Sequence, residues 1–269
     1  MSAVVEHESS FGLIRPGNVN PPAHWRVALV LGCAGGLASV LLLPYLLALI
    51  PDAARDIRLP LPLFAAAQAA QSVILVTLLA WAGLRLGFAY ALDAPWLRRW
   101  LGGARAVQPQ PHWAHAALLG AGVAFFVLLV GLALPAISPP SHATALPNWW
   151  QGLFASFYGG IVEETICRLL LVSLLVWIGA HLSRAPPATG LYVAAIVLAA
   201  LIFGAAHLPA LAQMHALTPT AAVTVVSLNA IGGCVYGWLF WRRGLEHAML
   251  AHFCSDIVLH VLAPLVAPH

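Results

Sequence analysis

Two adjacent glutamates, Glu163 and Glu164, stand just ahead of an arginine, Arg168, in an otherwise apolar stretch at 150–181. A charge at the centre of a bilayer helix costs at least ~2.5 kcal/mol, so three within about a turn and a half need a purpose. Glu164 and Arg168 are spaced i,i+4, share a helix face and can pair. Glu163 is rotated by about 100° and is free to face something else. One carboxylate can thus be structural and the other chemical. His207 closes the run Phe203-Gly204-Ala205-Ala206-His207, where small residues let another helix approach and Phe203 lies one turn back. His252 and Asp256, again i,i+4, project to one side of the last apolar stretch. That spacing suits two ligands of one metal, or two groups aimed at one oxygen. Glu with His can activate water, and a second His can stabilise a developing oxyanion. The set is that of a hydrolase built between helices.

Each of these residues has a plainer reading. The Glu/Arg group can be a buried ion network that ties helices together, although packing alone would not call for a second, unpaired carboxylate. A lone membrane His is often an interhelical hydrogen-bonder. His260 continues the His252 face one turn on and reads as structural or interfacial. Glu246 and His247, beside Arg242 and Arg243, read as interfacial charges that can also touch substrate.

The elements that must position this set follow from composition. Of 269 residues, 61% are hydrophobic and 8% charged, against about 25% charged in a soluble domain. The bilayer must therefore be the solvent. A spanning helix needs ~20 mostly apolar residues, which gives an all-α polytopic bundle with spans near 25–50, 62–88, 114–136, 150–181, 189–208, 219–241 and 245–264. Seven spans use up one membrane domain, 25–269. The span at 150–181 is long enough to tilt, kink or protrude. Gly232 and Gly233 permit close helix contact in the sixth. Prolines mark the connections: Pro51 and Pro60, then Pro139, Pro140 and Pro147, then Pro186 and Pro187.

All twelve basic residues are Arg, and all but Arg168 fall in loops or near span ends, so no basic patch for nucleic acid exists. They orient the chain instead. With the N-terminus cytoplasmic, Arg15, Arg26, Arg85, Arg98, Arg99, Arg105, Arg184, Arg242 and Arg243 lie inside and only Arg55 and Arg58 outside. Trp149, Trp150, Trp238 and Trp241 at span ends fit interfacial anchoring or helix packing. Cys33, Cys167, Cys234 and Cys254 form no Cys-x-x-Cys pair and read as small apolar core residues. Residues 1–24 read as a polar cytoplasmic arm; they lack the basic start and apolar core of a cleavable signal. Abundant Ala and Arg without Lys suggest a GC-rich bacterial genome, hence a bacterial cytoplasmic membrane and a client less expected to be prenylated.

Three motifs in order, Glu163-Glu164-Thr-Ile-Cys-Arg168, Phe203-Gly-Ala-Ala-His207 and His252-Phe-Cys-Ser-Asp256, resemble the CAAX-protease and bacteriocin-processing (Abi) family over about 150–260. The stretch from Gly237 to His252 resembles the family too. The resemblance implies a membrane endopeptidase acting on membrane-associated or C-terminal peptides, some of them lipid-modified. Glu163 and His207 would activate water, His252 and residue 256 would stabilise the oxyanion, and Glu164, Arg168 and Phe203 would support the site. The family is called metalloprotease by name, and a metal-free glutamate mechanism is also argued for it. Two departures stand out. Eight spans are common in the family, against seven here, and its usual Asn is Asp256. An ionised Asp only accepts hydrogen bonds. It can serve as a ligand of a divalent metal such as zinc, with Glu163, His207 and His252, or as a neutral acid that donates.

The topology carries one tension. Glu163 and His207 lie ~18 residues from the cytoplasmic ends of their spans and His252 only ~7, so at ~1.5 Å per residue they differ in depth. Either two helices protrude, or the turn at Arg242–Gly244 lies deep. Two other functions fit the same residues: a non-catalytic immunity or partner-binding protein of the same fold, and a cation or proton transporter, which would more often show broken helices or repeats.

Overall fold

The computed structural model describes residues 23–50, 57–102, 110–133, 147–214 and 217–266. The polar arm (but for Ala23 and His24), Pro51, Arg55, Arg105, Pro139 and Pro140 lie outside the described residues. No strand occurs among the described residues, and seven helices are long and apolar enough to cross a membrane. This is an integral membrane protein. Leu37, Ile74, Leu118, Phe125, Leu182 and Val223 point outward, as lipid contact requires.

The spans are α1 (His24–Leu49), α2 (Leu61–Gly87), α4 (Trp113–Ala133), α5 (Trp149–Ser183), α6 (Thr189–Ala205), α8 (Pro219–Arg243) and α9 (Leu245–Leu265). Short helices α3 (Pro95–Trp100) and α7 (Leu208–Met214) lie between them. Local chemistry sets the ends. Proline, whose φ is preset for the helix and whose missing N–H costs nothing there, stands in the first turn of α2, α3 and α8. Asn148 and Gln151 form a capping box at the start of α5, with Asn148 N–H donating to Gln151 Oε1 at 2.7 Å. Thr218 caps α8 by accepting from Ala221 N–H at 3.1 Å.

α5 runs through the middle of the packing, touching α1, α2, α6, α8 and α9. Its 35 residues would reach about 50 Å at the α-helical rise, well beyond a ~30 Å hydrocarbon core. It is not α-helical throughout. Gly159–Glu163 and Thr165–Val172 are wound as π-helix on either side of Glu164. A third π-helical stretch, Ile257–Leu262, follows Asp256 in α9. Such turns are rare and concentrate where function distorts a helix.

Small residues let backbones approach. Gly120 of α4 lies directly against the backbone of Ala251 in α9, and a Cβ there would collide with it. Ser255 reinforces the contact by donating to Gly120 O at 2.9 Å. In the sixth span, a Cβ on Gly233 would fall 2.8 Å from Ala200 of α6.

The depth tension is relieved at Gly244, whose φ of 95° makes the sharp turn between α8 and α9. Residues 91–101 fold over that turn. Leu245 N–H donates to Asp93 O at 3.0 Å, Glu246 Oε1 accepts from Leu97 N–H at 2.8 Å, and His247 stacks on Trp113 at 4.2 Å. Asp93 and Arg98, both buried, pair at 2.6 Å and hold the covering segment together. The turn is thus inside the protein, and His252, seven residues past Leu245, reaches the middle of α5. Glu246 and His247 were expected at the interface as charges. His247 is fully buried instead, and the Glu246 carboxylate points into α3 rather than to solvent. The cysteines also depart from expectation: Cys167 is buried, but Cys33 is exposed on α1. Trp149 and Trp150 are exposed where α5 begins, while Trp241 stacks on Tyr192 at 4.9 Å.

Candidate active site

The two glutamates are divided by burial. Glu164 is fully buried and its Oε1 takes two partners, Arg168 Nη1 at 3.2 Å and His252 Nδ1–H at 2.8 Å. Glu163 keeps 28% of its side chain exposed, and its Oε2 faces His252 Nε2 at 3.8 Å. The π-helical winding around residue 164 matters here. A π turn holds more residues than an α turn, so both acidic side chains swing toward α9 instead of diverging by the full α-helical step.

Arg168 is buried between two rings, 4.8 Å from the Phe203 centroid and 5.4 Å from that of Tyr236. Cation–π attraction is strongest when the cation is desolvated, so the rings supply what water would otherwise give the guanidinium. Tyr236 also stacks on the His252 imidazole, with centroids 4.7 Å apart and planes 17° apart. Phe203 presents its ring edge-to-face to His252 at 5.7 Å and to His207 at 4.8 Å.

His252 is therefore fixed on three sides. Its Nδ1–H is committed to Glu164, its face to Tyr236 and its edge to Phe203, which leaves Nε2 directed at Glu163 and at Asp256 Oδ1, 3.7 Å away. Asp256 is 14% exposed. Gly159 of α5 lies directly against Asp256 Oδ2 and leaves no room for a Cβ. His207 sits just past the end of α6 and donates Nδ1–H to Phe203 O at 2.9 Å. In the neutral ring that leaves Nε2 with its lone pair, as a base requires.

Glu163, Glu164, Arg168, Phe203 and Asp256 are linked through His252 or Arg168, and His207 joins them through the Phe203 ring. Four further residues belong to the neighbourhood and were not singled out as site residues from sequence. Tyr236, Gly159 and Tyr45 lie in three different spans and carry no spacing signal. His260 was read as structural, yet its Nε2 lies 4.0 Å from Asp256 Oδ1.

The donor set can be tested against a metal. Among the described residues no group of three or more His, Cys, Asp or Glu is arranged to hold one. Nδ1 of both His207 and His252 is bonded to an internal acceptor, which leaves only Nε2 of each ring to face a ligand. As they stand, these side chains do not fit the zinc site expected from Glu163, His207, His252 and Asp256.

What the arrangement can do is bring a partly accessible carboxylate beside an oriented imidazole, with a second imidazole joined to it through the Phe203 ring. Residues 145–258 match the family described as Rce1-like, type II CAAX prenyl endopeptidase Rce1-like. The matched stretch is similar to that family, consistent with the CAAX-protease and bacteriocin-processing group, and it contains every motif residue above. No curated protein and no solved structure matches the chain.

Proposed function

We propose that this chain, whose residues 145–258 form an Rce1-like domain, is an intramembrane endopeptidase that cleaves membrane-associated or C-terminal peptides with a glutamate-activated water. The observation that carries the reading is the division between Glu163 and Glu164. One carboxylate is buried with its Oε1 taken by Arg168 and His252, while its neighbour stays accessible beside His252 Nε2. A buried ion network that only ties helices together has no use for the second.

In the proposed reaction a water held by Glu163 and His207 Nε2 gives a proton to Glu163 as its oxygen bonds to the scissile carbonyl carbon. The carbonyl π electrons move to oxygen, and the resulting oxyanion is met by His252 Nε2, which donates to it when the ring carries both protons. On collapse the C–O double bond re-forms and the C–N bond breaks. The proton on Glu163 passes to the leaving amine, and the carboxylate is regenerated. Glu164, Arg168 and Tyr236 act through His252 as positioning residues.

The test uses the full-length protein in proteoliposomes with two internally quenched peptides, one ending in a farnesylated Cys-aliphatic-aliphatic-X tail and one identical but without the lipid. Glu163→Gln keeps the shape but removes the base, and should abolish cleavage while leaving thermal stability unchanged. Cleavage at the wild-type rate by Glu163→Gln would reject the enzyme reading in favour of a binding protein of the same fold. The ratio of the two peptide rates tells whether the lipid is recognised.

A further inference from the structure

Asp256 is the residue the reaction above leaves without a part, because an ionised carboxylate cannot donate to an oxyanion. Its surroundings supply the missing donor. Around Asp256 Oδ1 stand two imidazole nitrogens, His252 Nε2 at 3.7 Å and His260 Nε2 at 4.0 Å. Both separations are too long for a direct hydrogen bond and long enough for an oxygen atom to bridge. His260 Nδ1 lies 3.2 Å from the hydroxyl of Tyr45, which reaches across from α1. The two rings meet edge-to-face at 5.5 Å. The His260 side chain is 38% exposed, so it borders open space as well as Asp256.

We propose that His260 is a further catalytic residue, whose Nε2–H donates to the developing oxyanion in place of an amide at position 256, with Tyr45 selecting its tautomer and Asp256 Oδ1 facing its Nε2. The inference rests on the peptidase reading. A tyrosine hydroxyl that donates to Nδ1 forces the proton of a neutral imidazole onto Nε2, the nitrogen turned toward Asp256. Asp256 is held by Gly159, and the backbone of His260 lies directly against Gly152 one heptad earlier on α5, where a Cβ would not fit. The π-helical stretch Ile257–Leu262 begins just after Asp256 and includes His260, and it sets the rotation of His260 relative to Asp256. A histidine that only tied α1 to α9 would need the Tyr45 contact alone. This one also brings Nε2 to the same carboxylate oxygen that His252 faces.

The experiment compares wild type, His260→Leu, His260→Gln and the double variant Asp256→Asn/His260→Leu, all full-length in proteoliposomes, on the farnesylated and plain peptides. His260→Leu should lower kcat by about 100-fold, the size of losing one oxyanion donor, with KM changed less than about two-fold. His260→Gln, which still carries an N–H donor, should recover part of the loss. Asp256→Asn/His260→Leu should return to within about ten-fold of wild type, because the amide restores a donor. A double variant as slow as His260→Leu, or a His260→Leu protein with wild-type kcat, overturns the proposal. A second readout does not depend on turnover. In 15N-histidine-labelled protein, the signal missing in His260→Gln should report an Nε2–H tautomer that Tyr45→Phe abolishes. An unchanged tautomer in Tyr45→Phe overturns the array even if the wild type cleaves neither peptide, an outcome that would count separately against the peptidase reading.

Discussion

Glu164 Oε1 is shared: Arg168 holds it at 3.2 Å and His252 Nδ1–H donates to it at 2.8 Å. The arginine therefore never touches the reacting atoms, yet it fixes the oxygen that fixes the imidazole.

Arg168→Ala should damage the fold more than the chemistry. It strips a buried carboxylate of its cation, typically a cost of about 3–5 kcal/mol. It also empties the gap between Phe203 and Tyr236. Adding Glu164→Gln removes the uncompensated charge and keeps an oxygen for His252 Nδ1–H to bond. The double variant should regain most of the lost membrane yield and thermal stability in detergent. Equal losses in the single and double variants would show that charge is not what destabilises Arg168→Ala.

Gly159→Ala separates positioning from stability. Alanine suits a helix better than glycine, but the new methyl meets Asp256 Oδ2 and would lie 3.2 Å from His252 Nε2. α9 must give way by a fraction of an ångström. We expect kcat to fall about 100-fold, the scale of a misplacement near 1 Å, without a drop in melting temperature. Undiminished kcat would mean that the contact between α5 and α9 tolerates the shift.

Asp256→Asn tests what the carboxylate does. With His260 supplying the donor, the amide adds a second one and activity should be kept or raised. Activity should also persist in chelator, since no step above passes through a metal. Zinc remains the second reading of position 256. Chelator-sensitive turnover restored by zinc, together with an inactive Asp256→Asn protein, would establish it, with metal content of the purified protein as the independent check.

Glu246→Ala should loosen the cover over the α8–α9 turn. It removes the acceptor for Leu97 N–H, a cap worth about 1 kcal/mol. Amide hydrogen exchange should speed up across 95–101 while the α5 core stays protected. Unchanged exchange there would show that Asp93 and Arg98 hold the segment alone.

Much of this was legible beforehand because membrane burial makes polar residues conspicuous. The seven spans follow from apolar length alone, and Glu163, Glu164, Arg168, His207, His252 and Asp256 stand out as charges and imidazoles where none is cheap. What stayed hidden has physical reasons. Tyr236, Tyr45 and Gly159 reach the site only through tertiary contact, and aromatic and small residues are common in spans. Glu246 and His247 follow two arginines and so read as the aqueous edge, but nothing in their own spacing reveals that residues 91–101 fold back over them. Cys33 is small enough to face lipid as readily as a core. The π-helical stretches have no compositional mark, because leucine, isoleucine and valine serve either winding.

Those stretches bear on how the chain tolerates length changes. A π turn closes its hydrogen-bonded ring with one residue more than an α turn, so each behaves as an insertion absorbed without leaving the helix. Removing any one residue from 165–172 would let α5 relax toward regular winding, with better hydrogen bonds and no lost apolar contact of its own. Because the extra residue is already absorbed, the flanking segments would keep nearly the same phase, and only residues within the stretch, Arg168 among them, would change rotation. The local rotation of the site residues is therefore encoded in a count of residues as well as in their identities. A single-residue deletion there should leave a well-folded span whose two ends still pack in place, with the lesion confined to the site.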